Sequence, residues 1–121
     1  MAHVIVWEFR VRPDAETRFI EKYGPDGIWA RFFRGGQGYI RTELVKDVAE
    51  RGRFLTLDYW HSEEEFKRFR DQNQAEYKRI DRECEELTEA ESYLGNLFGE
   101  PDRAEISGAK RLEAKYGKGK I

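Results

Sequence analysis

Hydrophobic and polar residues alternate along the first dozen positions of the chain. In HVIVWEFRVR (3–12), Ile5, Trp7 and Phe9 share one parity, whereas the neighbouring Glu8 belongs to the other. A period of two is typical of a β-strand with one apolar face. The pattern therefore predicts a first strand whose apolar face packs against the rest of the domain.

Two helices are predicted after this strand. A helix over 13–23 ends at the Gly-Pro pair 24–25, because a glycine suits the position after the last turn and a proline cannot continue the helix. The segment GIWARFF (27–33) predicts a second, short helix, which the glycines of GGQG (35–38) end. Its three aromatic rings either fill a core or form the lid of a cavity.

Two more strands follow, over 39–47 and 53–60, and the short loop between them predicts a hairpin. On the second of these strands we assign the alternating Leu55, Leu57 and Tyr59 to the apolar face. The opposite, charged face of the sheet is then expected to carry Glu8, Arg10, Arg41, Glu43 and Asp58.

A long helix is predicted from the capping box that Ser62 forms with Glu65 to about Thr88. SYLGNLFG (92–99) predicts a fourth strand, weakened by Gly95. Residues spaced three and four positions apart define the inward side of the helix: Phe66, Phe69, Asn73, Tyr77, Ile80, Cys84 and Leu87.

The element order β-α-β-β-α-β predicts an α+β, ferredoxin-like fold, in which a four-stranded antiparallel sheet carries both helices on one face. Residues 1–99 form this domain. Residues 100–121 are a charged C-terminal extension, with one predicted helix at about 103–116. This extension either docks on a partner subunit or frays.

Composition narrows the classes of function. The chain has 121 residues, of which 38 % are charged, and a net charge of −2 with acids and bases interspersed. The absence of a basic stripe argues against nucleic-acid binding. The sequence contains no apolar run of about 18 residues, the length that would indicate a membrane span. A single cysteine, Cys84, and the lack of a recognisable signal peptide favour a cytoplasmic protein.

Three stretches together resemble a known family. WEFRVRP in the first strand, GY at the start of the second, and FLTLDYWHSEEEF from the third strand into the long helix are similar to antibiotic biosynthesis monooxygenase (ABM-type) domains of the dimeric α/β-barrel superfamily. The resemblance covers about residues 3–99. It implies a homodimer in which two sheets face each other to form a barrel, so that the charged faces meet and must pair their charges.

The resemblance also bears on cofactors. Similar families include cofactor-independent oxygenases of polycyclic phenols and haem-degrading enzymes. The haem-degrading enzymes use an asparagine on the first strand and a tryptophan and a histidine on the long helix. Here those positions correspond to Phe9, Phe69 and Arg79. The two histidines, His3 and His61, flank strands and have no ligand-like spacing. We therefore expect no haem, no metal and no other cofactor.

The resemblance places chemistry between the sheet and the helices. The expected substrate-binding walls are Trp7, Phe9, Trp29, Phe33 and Phe69, although such rings also suffice to fill a core.

The candidate catalytic residues are Asn73, Tyr77, Tyr59 and Asp58. The amide and phenol groups would orient a substrate or stabilise its phenolate, and Asp58 would exchange a proton. Asn73 interrupts an apolar stripe, so its amide either bonds a neighbouring group or contacts a ligand.

Three hypotheses for function follow. The first is a cofactor-independent monooxygenase-like enzyme acting on a small planar aromatic or quinol substrate. The second is a non-catalytic accessory protein of the same dimeric fold, which binds a small hydrophobic aromatic ligand. The third is a dimer with a filled core and no cavity.

Overall fold

The computed structural model describes residues 1–100, so the predicted helix in the C-terminal extension lies outside the described residues. Strand β1 (Ala2–Val11) is followed by a 3₁₀ turn (Pro13–Ala15) and by helices α1 (Glu16–Tyr23) and α2 (Ile28–Phe33). Within the described range, no helix is long and apolar enough to cross a membrane.

The second half of the domain contains the remaining strands and helices. Strands β2 (Tyr39–Lys46) and β3 (Arg53–Trp60) form the predicted hairpin. Helices α3 (Glu63–Gln72) and α4 (Gln74–Cys84) then lead into β4 (Thr88–Gly99). The four strands form one antiparallel sheet in the order β2-β3-β1-β4, which confirms the α+β, ferredoxin-like fold.

The predicted single long helix is wrong at its centre. Asn73 adopts φ −130° and ψ 35°, which is not helical, and separates α3 from α4. The predicted cap at its start is confirmed, because the Ser62 hydroxyl accepts a 3.2 Å hydrogen bond from the Glu65 backbone N–H. The inward stripe continues across the break, with Phe69, Ile80 and Cys84 buried.

The fourth strand begins earlier than predicted, at Thr88 instead of residue 92. The pattern of 88–91 is polar because this edge strand is largely exposed. Its pairing with β1 shifts register between Val6 and Trp7, where Gly95 pairs with Val6 and Tyr93 pairs with Trp7. Gly95 has φ 142°, a conformation that side chains rarely adopt, so the glycine permits this irregularity.

The face assignment of β3 is also wrong. Asp58 pairs with Ile5 on β1 and with Thr42 on β2, and directly paired residues in antiparallel strands share a face. Asp58 therefore lies on the helix side of the sheet. By the same register, Leu55, Leu57 and Tyr59 lie on the outer face with Glu8, Arg10, Arg41 and Glu43.

The main core lies between the sheet and the helices and is rich in aromatic rings. Phe19 on α1 stacks on Tyr23 at 4.3 Å between ring centroids, and Trp60 at the end of β3 is completely buried. A second, smaller buried cluster lies on the outer face: Ala2, Val4, Val6 and Tyr59. The sheet is thus apolar on parts of both faces, which the alternation in β1 alone did not predict.

The turn between α1 and α2 is held by side chains. Arg34 donates hydrogen bonds to the Pro25 carbonyl and the Asp26 carboxylate, at 2.9 and 2.8 Å, and Arg31 donates to the Asp26 carbonyl at 2.7 Å. A side chain at Gly27 would collide with the Lys22 carbonyl. With Trp29 and Phe33 buried, α2 is part of the core layer.

Candidate functional site

A cavity of about 150 Å³ opens between the sheet and the helical layer. Strand residues form its floor, α2 and α4 form its roof, and β4 borders one side. Its walls combine aromatic rings with carboxyl and hydroxyl groups: Trp7, Phe9, Tyr23, Trp29, Phe33, Thr42, Thr56, Asp58, Tyr77, Asp81 and Glu91.

Asp58 on β3 is the carboxyl group of the floor. Thr42 Oγ1 donates a 2.6 Å hydrogen bond to Asp58 Oδ1. Because the single Thr42 proton is used in this bond, the 2.7 Å contact between Tyr39 and Thr42 requires the Tyr39 hydroxyl to donate. Burial raises the pKa of Asp58 to about 6, although the bond from Thr42 lowers it. A carboxyl group with this pKa can exchange protons near neutral pH.

Aromatic rings form the walls around this carboxyl group. Trp29 packs against Phe33 and Tyr77, with ring centroids 5.8 and 5.1 Å apart. The buried Trp29 indole N–H has no hydrogen-bond partner within residues 1–100, although the Tyr23 hydroxyl and the Cys84 thiol are near enough to interact with it. Flat rings around a slot favour a planar, apolar ligand.

The two tyrosines of the roof are neutral at ordinary pH. Burial raises the pKa of Tyr77 to about 12, and the carboxylates of Asp81 and Asp58 contribute to the increase. Burial likewise raises the pKa of Tyr23. Both phenols therefore serve as hydrogen-bonding groups and not as bases at neutral pH.

Acidic groups border the side of the cavity nearest β4. Asp81 lies on α4, and Glu91 pairs with Phe9 from the edge strand. Burial and the nearby carboxylates of Asp81 and Glu85 raise the pKa of Glu91. The charged side chains that line the cavity within residues 1–100 are therefore acidic.

Six of the predicted site residues meet at this cavity, and three do not. Trp7, Phe9, Trp29, Phe33, Tyr77 and Asp58 line it. Asn73 instead donates a 2.8 Å hydrogen bond from Nδ2 to the Phe69 carbonyl at the junction of α3 and α4. Phe69 packs against Phe32 and Trp60 in the solid part of the core.

Tyr59 is on the other side of the sheet. The Arg41 guanidinium lies 3.7 Å above its ring centroid, and this outer-face contact separates the Tyr59 phenol from the cavity. Its assignment to the helix side followed from the wrong parity of β3.

Sequence reasoning missed Thr42, Thr56, Asp81, Glu91 and Tyr23 as cavity residues. Thr42 and Thr56 were detectable only through strand register, since each is paired with an inward-facing residue of a neighbouring strand. Asp81 lies four positions after Tyr77, so helical spacing places both on one side of α4. Residues 1–100 contain no group of three or more His, Cys, Asp or Glu side chains arranged to hold a metal ion.

A model of the antibiotic biosynthesis monooxygenase (ABM) family matches residues 2–80, about two thirds of the chain. The chain belongs to the antibiotic biosynthesis monooxygenase family. The match includes β1, both helices of the first half, the central hairpin and most of α3 and α4. Five of the cavity-lining residues of this ABM chain lie on the hairpin and on β1: Trp7, Phe9, Thr42, Thr56 and Asp58.

Solved structures similar to this ABM chain share its fold. SnoaB, a cofactor-independent oxygenase from Streptomyces nogalater, superposes with a TM-score of 0.60 at 16 % identity, covering 84 % of this chain and 96 % of SnoaB. PA3566 from Pseudomonas aeruginosa superposes with a TM-score of 0.58 at 13 % identity, covering 82 % of this chain and 94 % of PA3566.

A third similar structure is a dimeric ferredoxin-like protein from an uncultured marine organism. It gives a TM-score of 0.55 at 14 % identity and covers 84 % of this chain and 92 % of that one. At these identities the likeness establishes the fold alone. Comparison with curated proteins finds no match to this ABM sequence.

Proposed function

We propose that this ABM protein is a cofactor-independent monooxygenase that oxidises a small hydroquinone or related phenol. The observation that carries the proposal is the Asp58 carboxyl group, whose pKa is raised to about 6, in the floor of an aromatic cavity. Such a group supplies a base where a phenol would be bound. The description of SnoaB as a cofactor-independent oxygenase supports the same class of reaction.

The cavity volume supports a compact substrate. A cavity of about 150 Å³ has the size of the engineered protein cavities that accept benzene. Trp29 and Phe33 on the roof and Trp7 and Phe9 on the floor would contact the faces and edges of one aromatic ring. We infer a single-ring substrate with a hydroxyl group directed to Asp58.

The reaction begins with proton transfer from a hydroquinone hydroxyl to Asp58, which converts the substrate to its mono-anion. The anion gives one electron to O₂, forming a semiquinone and superoxide. The two radicals combine at a ring carbon to form a peroxide anion, which takes back the proton held by Asp58 and becomes a hydroperoxide. Loss of water from the hydroperoxide gives a hydroxyquinone, so that one oxygen atom enters the product and the other leaves as water.

Thr42 and Tyr39 support the proton transfer. The Thr42 hydroxyl holds Asp58 Oδ1, and the Tyr39 hydroxyl holds Thr42 in turn. This chain fixes the orientation of the carboxyl group while its other oxygen remains available to the substrate. The chain of hydrogen bonds ends at Tyr39, which is only partly buried, so it connects the carboxyl group of Asp58 with the surface.

The test is oxygen uptake by the purified protein with methylhydroquinone at a pH about one unit above the pKa of Asp58. We expect uptake above the rate of uncatalysed autoxidation, and one ¹⁸O atom from ¹⁸O₂ in the hydroxyquinone product. Asp58→Asn should lose most of this activity, whereas Asp14→Asn, which removes an exposed carboxylate, should retain it.

Two results would contradict the proposal. Equal oxygen uptake by wild type and Asp58→Asn would show that Asp58 is not the base. Formation of hydrogen peroxide with no labelled product would indicate electron transfer without oxygen insertion. Tight binding with no uptake at all would favour the non-catalytic binding protein.

We also infer that the protein is a homodimer that pairs the outer faces of two sheets. Charged groups on this face already pair within one subunit, as Arg53 does with Glu8 and with Asp47. The outer face also presents Leu97, which is 58 % exposed beside the buried Val4. The description of one structure of similar fold as a dimeric ferredoxin-like protein supports a dimer.

A further inference from the structure

The cavity has a polar end opposite Asp58, and the proposed oxidation does not use it. Asp58 pairs with Ile5 on β1, whereas Glu91 pairs with Phe9, four residues further along the same strand. Standard strand rise and spacing put their Cα atoms roughly 16 Å apart across the sheet. Both residues line the cavity, so a bound ring that contacts Asp58 has its far edge directed towards Glu91.

Asp81 adds a second carboxylate at this far end. Besides burial, the negative charges of Asp81, Asp58 and Glu91 raise the pKa of the Tyr77 hydroxyl. This phenol of the roof therefore lies between the two ends of the cavity. The positive charge of Arg70 lowers the pKa of Tyr77, but Arg70 does not line the cavity. Among the described residues, three carboxylates thus face the interior and no Lys, Arg or His does.

The acidic character continues outward from the cavity. Asp81 and Glu91 also border a neighbouring surface hollow with Glu85 and Glu89, where Arg82 is the single cationic side chain among the described lining residues. Burial and the neighbouring carboxylates destabilise the Glu91 anion. The salt bridges formed within residues 1–100 engage Glu83 on α4 and Glu86 just after this helix, and none of them includes Asp81 or Glu91.

Aromatic rings surround this acidic end. Tyr23, Trp29 and Tyr77 line the same region, and Trp29 contacts both tyrosine rings at 6.2 and 5.1 Å between centroids. Carboxylates combined with aromatic faces are the groups that bind ammonium ions in proteins. An anionic substituent at the same place would instead meet two carboxylates without compensation.

We infer that the substrate is a phenol or hydroquinone that carries an amine on a short side chain. The hydroxyl group contacts Asp58, and the ammonium group lies between Asp81 and Glu91 against the tyrosine and tryptophan rings. The inference rests on the proposed function for the position of the ring. It adds a charge preference to that function. The positive group also offsets the negative charge that the ring acquires when its proton moves to Asp58.

Three phenols with a short chain para to the hydroxyl group test the charge preference. Tyramine is cationic, 4-propylphenol is neutral and 3-(4-hydroxyphenyl)propionate is anionic. Titration calorimetry, with quenching of Trp7 and Trp29 fluorescence as a second readout, gives the Kd of each for the full chain. We expect tyramine to bind at least about tenfold more tightly than 4-propylphenol, the scale of one desolvated cation–π contact. The propionate should bind most weakly.

Two matched variants on β4 locate the effect. Glu91→Gln removes a carboxylate of the cavity, and Glu89→Gln removes one that lies outside it. We expect Glu91→Gln to weaken tyramine binding by about fivefold or more while leaving 4-propylphenol unchanged. Glu89→Gln should change neither Kd appreciably.

The outcomes separate this inference from the proposed function. Equal affinity for tyramine and 4-propylphenol, or equal losses in Glu91→Gln and Glu89→Gln, would overturn the amine preference while a bound neutral phenol would still support the aromatic site. A tyramine preference without hydroquinone oxidation would uphold the charge preference and overturn the oxygenase. Failure of all three ligands to bind would overturn the amine preference. If methylhydroquinone also gave no oxygen uptake, the proposed function would be overturned as well.

Discussion

The Thr42 hydroxyl lies 2.6 Å from the Asp58 carboxylate and donates a hydrogen bond to it across the β2–β3 pair. Thr42 is itself buried, with 4 % of its surface exposed, so water does not readily replace this bond. The contact stabilises the carboxylate form of a group whose burial favours the protonated form. The balance of these two effects sets the pH at which Asp58 can accept a proton.

Loss of the Thr42 hydroxyl should therefore shift the pH dependence of activity. Thr42→Val removes the bond that favours the carboxylate, so the Asp58 pKa should rise above its value of about 6 and the rise in oxygen uptake should move to higher pH. Thr42→Ser should restore the original profile. The measurement is the pH dependence of oxygen uptake, with a ¹³C NMR titration of the Asp58 carboxyl group as an independent check.

The control for this prediction is Thr56→Val. Thr56 is equally buried and lines the same cavity, but the hydrogen bond to Asp58 comes from Thr42. A profile shifted as much by Thr56→Val as by Thr42→Val would show that general polarity of the cavity, and not the specific bond, controls Asp58.

Asp58 should also make stability depend on pH. Its pKa is about 6 in the folded chain, compared with an ordinary value of 3.8, so the folded state binds more protons between these values. The free energy of unfolding contributed by this group is therefore largest below pH 4 and falls as the pH rises to about 6. Above that pH, Asp58→Asn should be more stable than wild type by on the order of 3 kcal/mol.

Urea denaturation of both proteins from about pH 4 to about pH 8 measures this difference. Asp14→Asn is the control, because Asp14 is exposed and its replacement should leave the curve parallel to wild type. A stability difference between Asp58→Asn and wild type that stays constant with pH would mean that Asp58 is not destabilised by burial.

Asn73 should matter for stability and not for substrate binding. Its side chain bonds the Phe69 carbonyl at the helix junction and does not line the cavity. Asn73→Ala should lower the free energy of unfolding by about 1 kcal/mol and leave the KM for the hydroquinone unchanged. Gln72→Ala, at the exposed neighbouring position, should change neither quantity. An increased KM in Asn73→Ala would indicate that the Asn73 amide contacts the substrate.

The proposed dimer predicts a strong effect at Leu97. Leu97→Asp would bury an unpaired carboxylate between the outer faces and should weaken the dimer Kd by at least about tenfold. Light scattering after size-exclusion chromatography measures the mass at several concentrations. Val48→Asp changes an exposed hydrophobic residue in the hairpin loop and should leave the dimer intact. A wild-type monomer at all concentrations would contradict the dimer itself.

The sequence predicted the elements where one periodicity controlled them. The alternation in β1 and the helical stripe through Phe69 and Ile80 agree with the structure because both reflect packing in the main core. The capping box at Ser62 agrees because it depends on a local hydrogen bond. The stripe did not reveal the break at Asn73, since the residues on either side of it continue to point inwards.

The face of β3 could not be predicted in the same way. Leu55, Leu57 and Tyr59 look like a core-facing set, yet the inward positions include Thr56 and Asp58. Polar residues occupy these inward positions because they line a cavity and not a filled core. Binding sites are where a sequence departs from the pattern of its own fold, and here the departure reversed the interpretation of the strand.

The break at Asn73 separates a helix whose substitutions affect folding from a helix whose substitutions affect the cavity. Residues before it, such as Phe66 and Phe69, contact Trp60 in a fully packed region, so substitutions there act on folding. Residues after it, such as Tyr77 and Asp81, face open space. Descendants of this chain can therefore acquire new ligands through changes on α4 while α3 continues to secure the sheet.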